Sequence, residues 1–271
     1  MSEPRRDHAA RYPVRRFRAG HAPESVDDLA AVEEPLEIRV AGRSVGVTMR
    51  TPGHDRELAL GFLVGEGVIG GRADVEHVRP CDRAGGERLD VIVAPWVAVD
   101  FARLTRHVFA TSSCGVCGSA SLEALRKQFP RVADGPVVAP EVVHALVGAL
   151  RGVQPTFDQT GGLHAAALFD EGGTLLIARE DVGRHNAVDK VIGHALWAGL
   201  VPLHRHMLLV SGRASFEIVQ KARAAGIPIV AAVSAPSSLA IDLAEESNIT
   251  LIGFVREGRF NVYSHARRVR E

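Results

Sequence analysis

Residues 207–233 of this 271-residue chain, MLLVSGRASFEIVQKARAAGIPIVAAV, consist of two apolar runs that enclose an amphipathic segment. Met207–Val210 and Ile227–Val233 are almost continuously apolar, which is typical of strands buried on both faces of a sheet. Phe216–Ala225, between them, has the length and spacing of a helix. A strand, a helix and a strand in this order predict a parallel β-α-β unit.

The same pattern extends in both directions from this unit. It predicts a larger three-layer α/β domain over residues 106–271, built on a mainly parallel sheet with helices on both faces. The further predicted strands are Ala165–Phe169, Thr174–Ala178 and Ile249–Val255, and the further predicted helices are Pro140–Arg151, Asn186–Ala198 and Leu239–Ser247.

The segment before this domain has a different order of predicted strands and helices. Apolar and polar residues alternate in Leu36–Val40 and again in Val45–Met49. A turn that contains glycine separates the two segments, and this pattern predicts a β-hairpin. A helix from Arg56 to about Val68 and strands near Val75–Arg79 and Arg88–Val93 follow, so residues 34–105 predict a small N-terminal α+β roll. Residues 1–33 are rich in arginine without a sustained period, and we expect a basic arm that is partly disordered.

Composition excludes several classes of protein. The 32 Lys and Arg balance the 32 Asp and Glu, and aromatic residues make up only 5%, so we expect no nucleic-acid partner. No apolar run reaches the ~18 residues of a membrane span, and no signal peptide is recognisable, so we expect a cytoplasmic protein without a membrane partner. In that compartment the three cysteines are free, metal-bound or reactive.

Two of these cysteines form a CxxC motif, Cys114-Gly115-Val116-Cys117. This spacing serves thiol–disulfide exchange, half of a zinc site or a reactive thiol with a helper. A structural zinc site needs four ligands, and the chain has no second CxxC and no H-x₃₋₅-H, so we expect no metal. Cys81 stands alone, and we expect it to be a small core residue.

Polar segments follow four of the predicted strands. Glu180–Lys190 joins a strand to a helix and is either a polar site or an ion-paired helix start. In Val210–Ser215, backbone amides and Arg213 follow a strand and together suit the binding of an anion. Ser234–Ser238 likewise follows a strand and begins a helix, and Gly253–Arg259 ends the last long strand. Loops at the carboxyl ends of neighbouring strands form ligand crevices, and the arginines favour an anionic ligand. The four arginines in question are Arg184, Arg213, Arg256 and Arg259.

With the CxxC motif, Glu180–Lys190, Ser211-Gly212-Arg213 and Phe254–Arg259 in this order, the chain resembles the FdhD/NarQ family from about residue 34 to residue 263. The Glu180–Lys190 segment is the most specific part of the likeness. The resemblance implies a sulfur carrier, a sulfurtransferase that takes sulfur from a cysteine desulfurase. It passes this sulfur to the bis(molybdopterin guanine dinucleotide) molybdenum cofactor, bound as substrate, before the cofactor enters formate dehydrogenase.

The resemblance also implies roles for particular residues. Cys114 would carry the persulfide and Cys117 would be its partner. It further implies that the second domain is similar to the cytidine deaminase fold without its zinc signature, and that the protein is a homodimer. The predicted cofactor-binding residues are those of the last loop together with the polar residues of two earlier loops: Phe254, Val255, Arg256, Glu257, Gly258, Arg259, Arg184, His185 and Arg213.

Two other functions stay open on the residues alone. Cys114 and Cys117 also suit a thiol–disulfide oxidoreductase. The arginine crevice without the thiols suits a non-catalytic chaperone for the cofactor.

Overall fold

The structure is a computed structural model, and it describes residues 8–81, 87–102, 104 and 129–271. It contains an N-terminal ribbon, a four-stranded sheet and a six-stranded sheet. The predicted α/β class is confirmed. The helix predicted at Pro140–Arg151 has those bounds in the structure.

The N-terminal arm is a β-ribbon rather than an irregular segment. Strands β1 (Ala9–Arg16) and β2 (Glu24–Ala31) pair antiparallel over their whole length. Exposed ion pairs cross the ribbon, including Arg11 with Asp27 and Arg16 with Asp28. The basic residues therefore face acidic partners across the ribbon. The charged residues of this segment show no alternation of apolar and polar positions, so the sequence did not predict these strands.

The small sheet contains four strands in the order β4-β3-β6-β5. Its central strands β3 and β6 are parallel, and the outer strands β4 and β5 are antiparallel to them. Helix α1 (Asp55–Gly65) follows β4. The strand bounds are β3 Glu34–Val40, β4 Arg43–Arg50, β5 Val75–Pro80 and β6 Arg88–Val93, and a short 3₁₀ turn covers Arg72–Asp74.

The large sheet has the order β12-β11-β10-β9-β7-β8 and is mixed, which corrects the expectation of a mainly parallel sheet. The pairs β9–β10 and β10–β11 are parallel, while β7 and β12 pair antiparallel with their neighbours. Hairpins join β7 to β8 and β11 to β12, and a hairpin connection produces antiparallel neighbours. The bounds are β7 His164–Asp170, β8 Leu175–Asp181, β9 His206–Val210, β10 Ile229–Ala232, β11 Thr250–Arg256 and β12 Arg259–Ser264.

Helices cover both faces of this sheet. Helix α2 (Pro140–Arg151) packs on one face, where alternate strand residues such as Ala167, Leu209 and Ile252 meet its Leu146. The other alternate residues face a second core that also includes the small sheet. The remaining helices are α3 Pro155–Thr160, α4 Arg184–Trp197, α5 Phe216–Ala224 and α6 Ser238–Ser247, with a 3₁₀ turn at Ala266–Arg268. In the described part of the chain, no helix has the length and apolar character to cross a bilayer.

Helices α1 and α4 touch backbone to backbone and thereby join the two sheets. A Cβ atom on Gly61 of α1 would lie 1.9 Å from the carbonyl oxygen of Asp189, and one on Gly193 of α4 would lie 1.8 Å from that of Glu57. Such distances leave no room for a side chain. These glycines therefore set the separation of the two helices.

We expect Gly61→Ala to lower the free energy of unfolding by about 1–3 kcal/mol, because the added methyl group forces two packed helices apart. Urea unfolding of the full chain measures this change. The matched control is Gly148→Ala in α2, where an added Cβ meets no atom within 4 Å. That variant should gain roughly 0.5–1 kcal/mol. Equal effects at both positions would contradict the packing argument.

Candidate functional site

The loops after β9, β10 and β11 meet at one edge of the large sheet, which we call the carboxyl edge. Hydrogen bonds connect neighbouring loops: the Ser234 amide donates to the Gly212 carbonyl at 3.3 Å, and the Phe254 amide donates to the Ser234 carbonyl at 3.2 Å. The Ser237 amide donates to the Ala214 carbonyl at 3.0 Å. The structure thus joins the Ser211–Ser215, Ser234–Ser238 and Gly253–Arg259 segments that the sequence analysis singled out.

The start of α4 lies at the same edge because β8 runs in the direction of β9. A Cβ on Gly212 would lie 3.4 Å from Nδ1 of His164 and 4.0 Å from Cβ of Arg184. Arg184 is half-buried and Arg213 is exposed. The edge therefore brings together Arg184, His185, Arg213 and the last loop.

Three arginines of this edge form no ion pair with a described residue, although the charge of Arg184 helps to lower the pKa of Glu217. Within the described residues, Arg184, Arg213 and Arg259 have no carboxylate within ion-pair distance. Arg256 differs, since its guanidinium donates to the carbonyls of Val233 and Val255, the second at 2.8 Å. An anion at this edge would meet unpaired guanidinium donors.

The predicted segment Phe254–Arg259 divides between core and surface. Phe254 is 42% exposed and has a φ of 54°, a left-handed conformation that is uncommon for a residue with a large side chain. Val255 is fully buried against the core on the α2 side, because alternate residues of β11 face that helix. The Val255 side chain therefore faces the core, and the cofactor contact of this residue stays a prediction. Glu257, Gly258 and Arg259 are exposed in the turn.

His185 lies between a hydroxyl and a carboxylate. Its Nε2 is 3.4 Å from Oγ of Ser215 and 3.7 Å from a carboxylate oxygen of Glu217. Burial lowers the pKa of His185 to about 4, with further lowering by Arg184 and Lys221. Burial and Arg184 also lower the pKa of His164. At neutral pH these two histidines therefore add no positive charge to the edge, and its arginine side chains do.

The rest of the Glu180–Lys190 segment is structural. Asp181 and Lys190 are buried and form an ion pair at 2.7 Å. Lys190 also donates to the Thr51 carbonyl at 2.9 Å, and Asn186 donates to the Met49 carbonyl at 2.7 Å and to Asp181 at 2.9 Å. The ion-paired helix start is therefore confirmed, and the polar site stays a prediction for Arg184 and His185. Arg184 and His185 face the edge, and the buried members tie α4 to the end of β4.

The predicted catalytic residues Cys114 and Cys117 lie outside the described residues. Cys81 lies just after β5 and is exposed, so the expectation of a core position is wrong. Its backbone amide donates to the Arg88 carbonyl at the end of the β5–β6 pair. Because β5 is an edge strand of the small sheet, the residue that follows it is exposed. Within the part of the chain that the structure describes, no three His, Cys, Asp or Glu side chains group as metal ligands would.

Sequence reasoning named Ser211 as part of the first loop and did not predict the burial of Gln154. Ser211 accepts a hydrogen bond from the Ala165 amide at 2.8 Å and thereby ties the first loop to β7. Gln154 is buried at the start of α3, close to Ser211. A single glutamine before a proline has no pattern that marks it as buried, so only the three-dimensional structure shows its burial.

Comparison with known proteins places the chain among relatives of similar length. The model of the FdhD/NarQ family matches residues 31–270. A sulfur carrier protein FdhD from Mycolicibacterium paratuberculosis is 54% identical, with 96% of this chain and 98% of the relative covered. One from Streptomyces coelicolor is 52% identical, with 96% and 95% covered.

A solved structure shows the same fold. The crystal structure described as that of a formate dehydrogenase accessory protein from Desulfotalea psychrophila superposes with a TM-score of 0.79 at 26% identity. The match covers 97% of this chain and all of that one. Similarity to the cytidine deaminase fold stays a prediction.

We expect the imidazole of His185 to titrate with a midpoint near pH 4 instead of the ordinary 6.5. Because folding lowers this pKa, the stability that the neutral ring contributes is complete above about pH 6.5 and is lost as the pH falls toward 4. Nuclear magnetic resonance of the histidine ring protons between pH 8 and about 3 measures the midpoint, with His185→Gln to assign the signal. A midpoint near 6.5 would contradict the burial of this ring.

Proposed function

Because the chain belongs to the FdhD/NarQ family, we propose that it is a sulfur carrier that serves the maturation of formate dehydrogenase. Relatives with that name match almost their whole length, so the proposal concerns the full chain. The structural observation that supports it best is the set of unpaired arginines at the carboxyl edge. A carrier that delivers sulfur to a phosphate-bearing cofactor needs such an anion site.

The proposed chemistry begins at Cys114. Its thiolate attacks the outer sulfur of a cysteine desulfurase persulfide. The sulfur–sulfur bond of the donor breaks, the desulfurase cysteine leaves as a thiolate, and Cys114 now carries the persulfide. This exchange moves one sulfur atom without net oxidation or reduction.

Cys117 then provides a route for release of the sulfur. Its thiolate attacks Sγ of Cys114, so that a Cys114–Cys117 disulfide forms and the outer sulfur leaves as hydrosulfide. The two electrons come from the cysteine pair. A cellular dithiol reduces the disulfide and restores the carrier.

The proposed acceptor is the bis(molybdopterin guanine dinucleotide) molybdenum cofactor, bound as substrate. Its pyrophosphate groups match Arg184, Arg213 and Arg259, whose guanidinium groups have no carboxylate partner in the described part of the chain. Phe254 offers an exposed ring beside them. Neutral His185 adds no charge to the site and stays available as a hydrogen-bonding group.

The proposal includes two protein partners, the cysteine desulfurase and the formate dehydrogenase apo-enzyme. It locates the carrier in the cytoplasm, since Cys114 and Cys117 must be free thiols between cycles, and a reducing compartment keeps them so. It also takes the carrier to be a homodimer.

We expect Arg213→Ala and Arg259→Ala each to weaken the binding of GDP by about ten- to a hundredfold. Each guanidinium makes charge-assisted hydrogen bonds of roughly 1.5–3 kcal/mol with phosphate, and about 1.4 kcal/mol corresponds to one decade of affinity. Persulfide loading by a desulfurase and cysteine, read by mass spectrometry, should stay normal in both variants.

The control is Arg205→Ala. Arg205 lies at the opposite edge of the sheet, next to the first residue of β9, and pairs there with Glu171. This variant should bind GDP like the wild type. GDP affinity within threefold of the wild type in both Arg213→Ala and Arg259→Ala would remove the arginines from the proposed function.

A further inference from the structure

Three polar side chains meet at the carboxyl edge, where α4 and α5 begin. They are His185 in the first turn of α4, Ser215 just before α5 and Glu217 in the first turn of α5. Nε2 of His185 lies 3.4 Å from Oγ of Ser215 and 3.7 Å from a carboxylate oxygen of Glu217. Two helix starts that are thirty positions apart in the sequence thus supply one group of polar atoms, which we call the His185 cluster.

Ser215 occupies the N-cap position of α5, where a serine side chain usually accepts a hydrogen bond from a backbone amide of the first turn. The structure describes all of α5, and the Ser215 side chain accepts no such bond from it. The Ser215 hydroxyl instead hydrogen-bonds the carboxylate of Glu217. An ionised carboxylate can only accept, so the hydroxyl proton points to Glu217. The lone pairs of Oγ are therefore left for its other neighbour, His185.

Glu217 is ionised at neutral pH. Partial burial acts to raise the pKa of its carboxyl, but hydrogen bonds from the Ser215 hydroxyl and from the Glu217 backbone amide act against it, as does the charge of Arg184. The pKa of Glu217 lies below its ordinary value as a result. The carboxylate is thus a permanent acceptor for the Ser215 hydroxyl in the neutral range of pH.

The ring of His185 is neutral over the same range. Burial lowers the pKa of His185 to about 4, and the charges of Arg184 and Lys221 act in the same direction. Glu217 opposes this effect, whereas His164 adds to it. A neutral imidazole carries a hydrogen on one nitrogen and a lone pair on the other, so the neighbours of the ring decide which nitrogen is the donor.

The charge state of Glu217 fixes the tautomer of this ring. Oγ of Ser215 offers Nε2 a lone pair and no proton, and the carboxylate of Glu217 nearby also favours a hydrogen on Nε2. Nε2 is therefore the donor, and Nδ1 keeps the lone pair. Within the described residues, Nδ1 of His185 has no hydrogen-bond partner.

An acceptor nitrogen gives the carboxyl edge a second kind of recognition. The guanidinium groups of Arg184 and Arg213 donate to the oxygens of an anion. The Nδ1 lone pair of His185 repels such an oxygen and accepts from an O–H, N–H or S–H group. An exchange of the two tautomers would reverse this preference, so the tautomer has a chemical consequence at the edge.

We propose that Ser215 and Glu217 are positioning residues for sulfur delivery, which hold neutral His185 as the Nε2–H tautomer so that Nδ1 accepts a hydrogen bond from a donor group of the bound substrate. His185 contacts the substrate, and the other two residues act through it. The role in delivery rests on the proposed function. The tautomer is a property of the protein by itself and is measured without any substrate.

Nuclear magnetic resonance of the ¹⁵N-labelled full chain at pH 7 tests the tautomer, with His185→Gln to assign the ring signals. The wild type should carry its hydrogen on Nε2. In Ser215→Ala both tautomers should become populated, and the Nε2 hydrogen should exchange with water roughly tenfold faster because no hydrogen bond holds it. Ser215→Thr keeps the hydroxyl and should retain the signals of the wild type.

Glu217→Gln tests the other positioning residue. The new carboxamide can donate to Oγ of Ser215, which frees the hydroxyl to donate to Nε2. The population of the Nδ1–H tautomer should therefore rise, whereas Glu217→Asp keeps a carboxylate and should retain the Nε2–H tautomer. Ser215 is half-buried and Glu217 is exposed, so we expect all of these variants to fold.

Delivery is measured as the activation of apo formate dehydrogenase by the carrier after persulfide loading. Ser215→Ala and Glu217→Gln should each lower the rate of activation about two- to tenfold, the effect of one hydrogen bond. Loading itself should stay normal, and Ser215→Thr should activate like the wild type. The matched controls are Ser44→Ala and Glu76→Gln, the same changes at exposed residues of the small sheet, which should alter neither the tautomer nor the activation.

A wild-type ring with its hydrogen on Nδ1 would overturn the inference, and so would an unchanged tautomer in both Ser215→Ala and Glu217→Gln. Normal activation by variants whose tautomer has changed would remove Ser215 and Glu217 from delivery. A wild type that loads persulfide but activates no enzyme would contradict the proposed function instead, and the tautomer of His185 would be established separately.

Discussion

The buried ion pair between Asp181 and Lys190 is the interaction on which the rest of the site depends. Both side chains are withdrawn from water, and their pairing at 2.7 Å is completed by hydrogen bonds to Thr51 and Asn186. Buried charges are tolerated only when an opposite charge and hydrogen bonds compensate them. The end of β8, the start of α4 and the end of β4 must therefore keep fixed positions relative to one another. The small sheet is thereby tied to the edge of the large one, at the point where Arg184 and His185 emerge.

This constraint explains how one short segment supplies both buried structural residues and residues that face the carboxyl edge. Successive residues at the start of α4 point in different directions, so Asn186 and Lys190 turn inward while Arg184 and His185 face the carboxyl edge. The close contact of α1 and α4 through Gly61 and Gly193 fixes the same helix along its length. Within the described residues Arg184, Arg213 and Arg259 form no ion pair, so the edge is suited to anions at neutral pH, where the neighbouring histidines with lowered pKa values are neutral.

The sequence predicted the elements better than their arrangement. Apolar runs such as Met207–Val210 and the helix Pro140–Arg151 are local patterns, and the structure places them within a residue of the prediction. The mixed order of the large sheet depends on which strands meet in space, and the ribbon β1–β2 forms from charges that pair across two strands, so local periodicity shows neither. In the site, the arginines were identifiable as a cluster after strands. The burial of Val255 and of Gln154 depends on packing that no spacing reveals.

The central claim is that this protein accepts sulfur at Cys114 and transfers it to a cofactor that is bound by the arginines of the carboxyl edge. A chase with labelled sulfur tests this most directly. The carrier is loaded with ³⁵S by a desulfurase, freed of donor, and mixed with the molybdenum cofactor and apo formate dehydrogenase. The account predicts that label leaves the protein and is recovered on the cofactor as the enzyme becomes active, and that Cys114→Ala carries no label whereas Cys81→Ala behaves like the wild type. Activation of the enzyme without transfer of label, or by the Cys114→Ala variant, would contradict it.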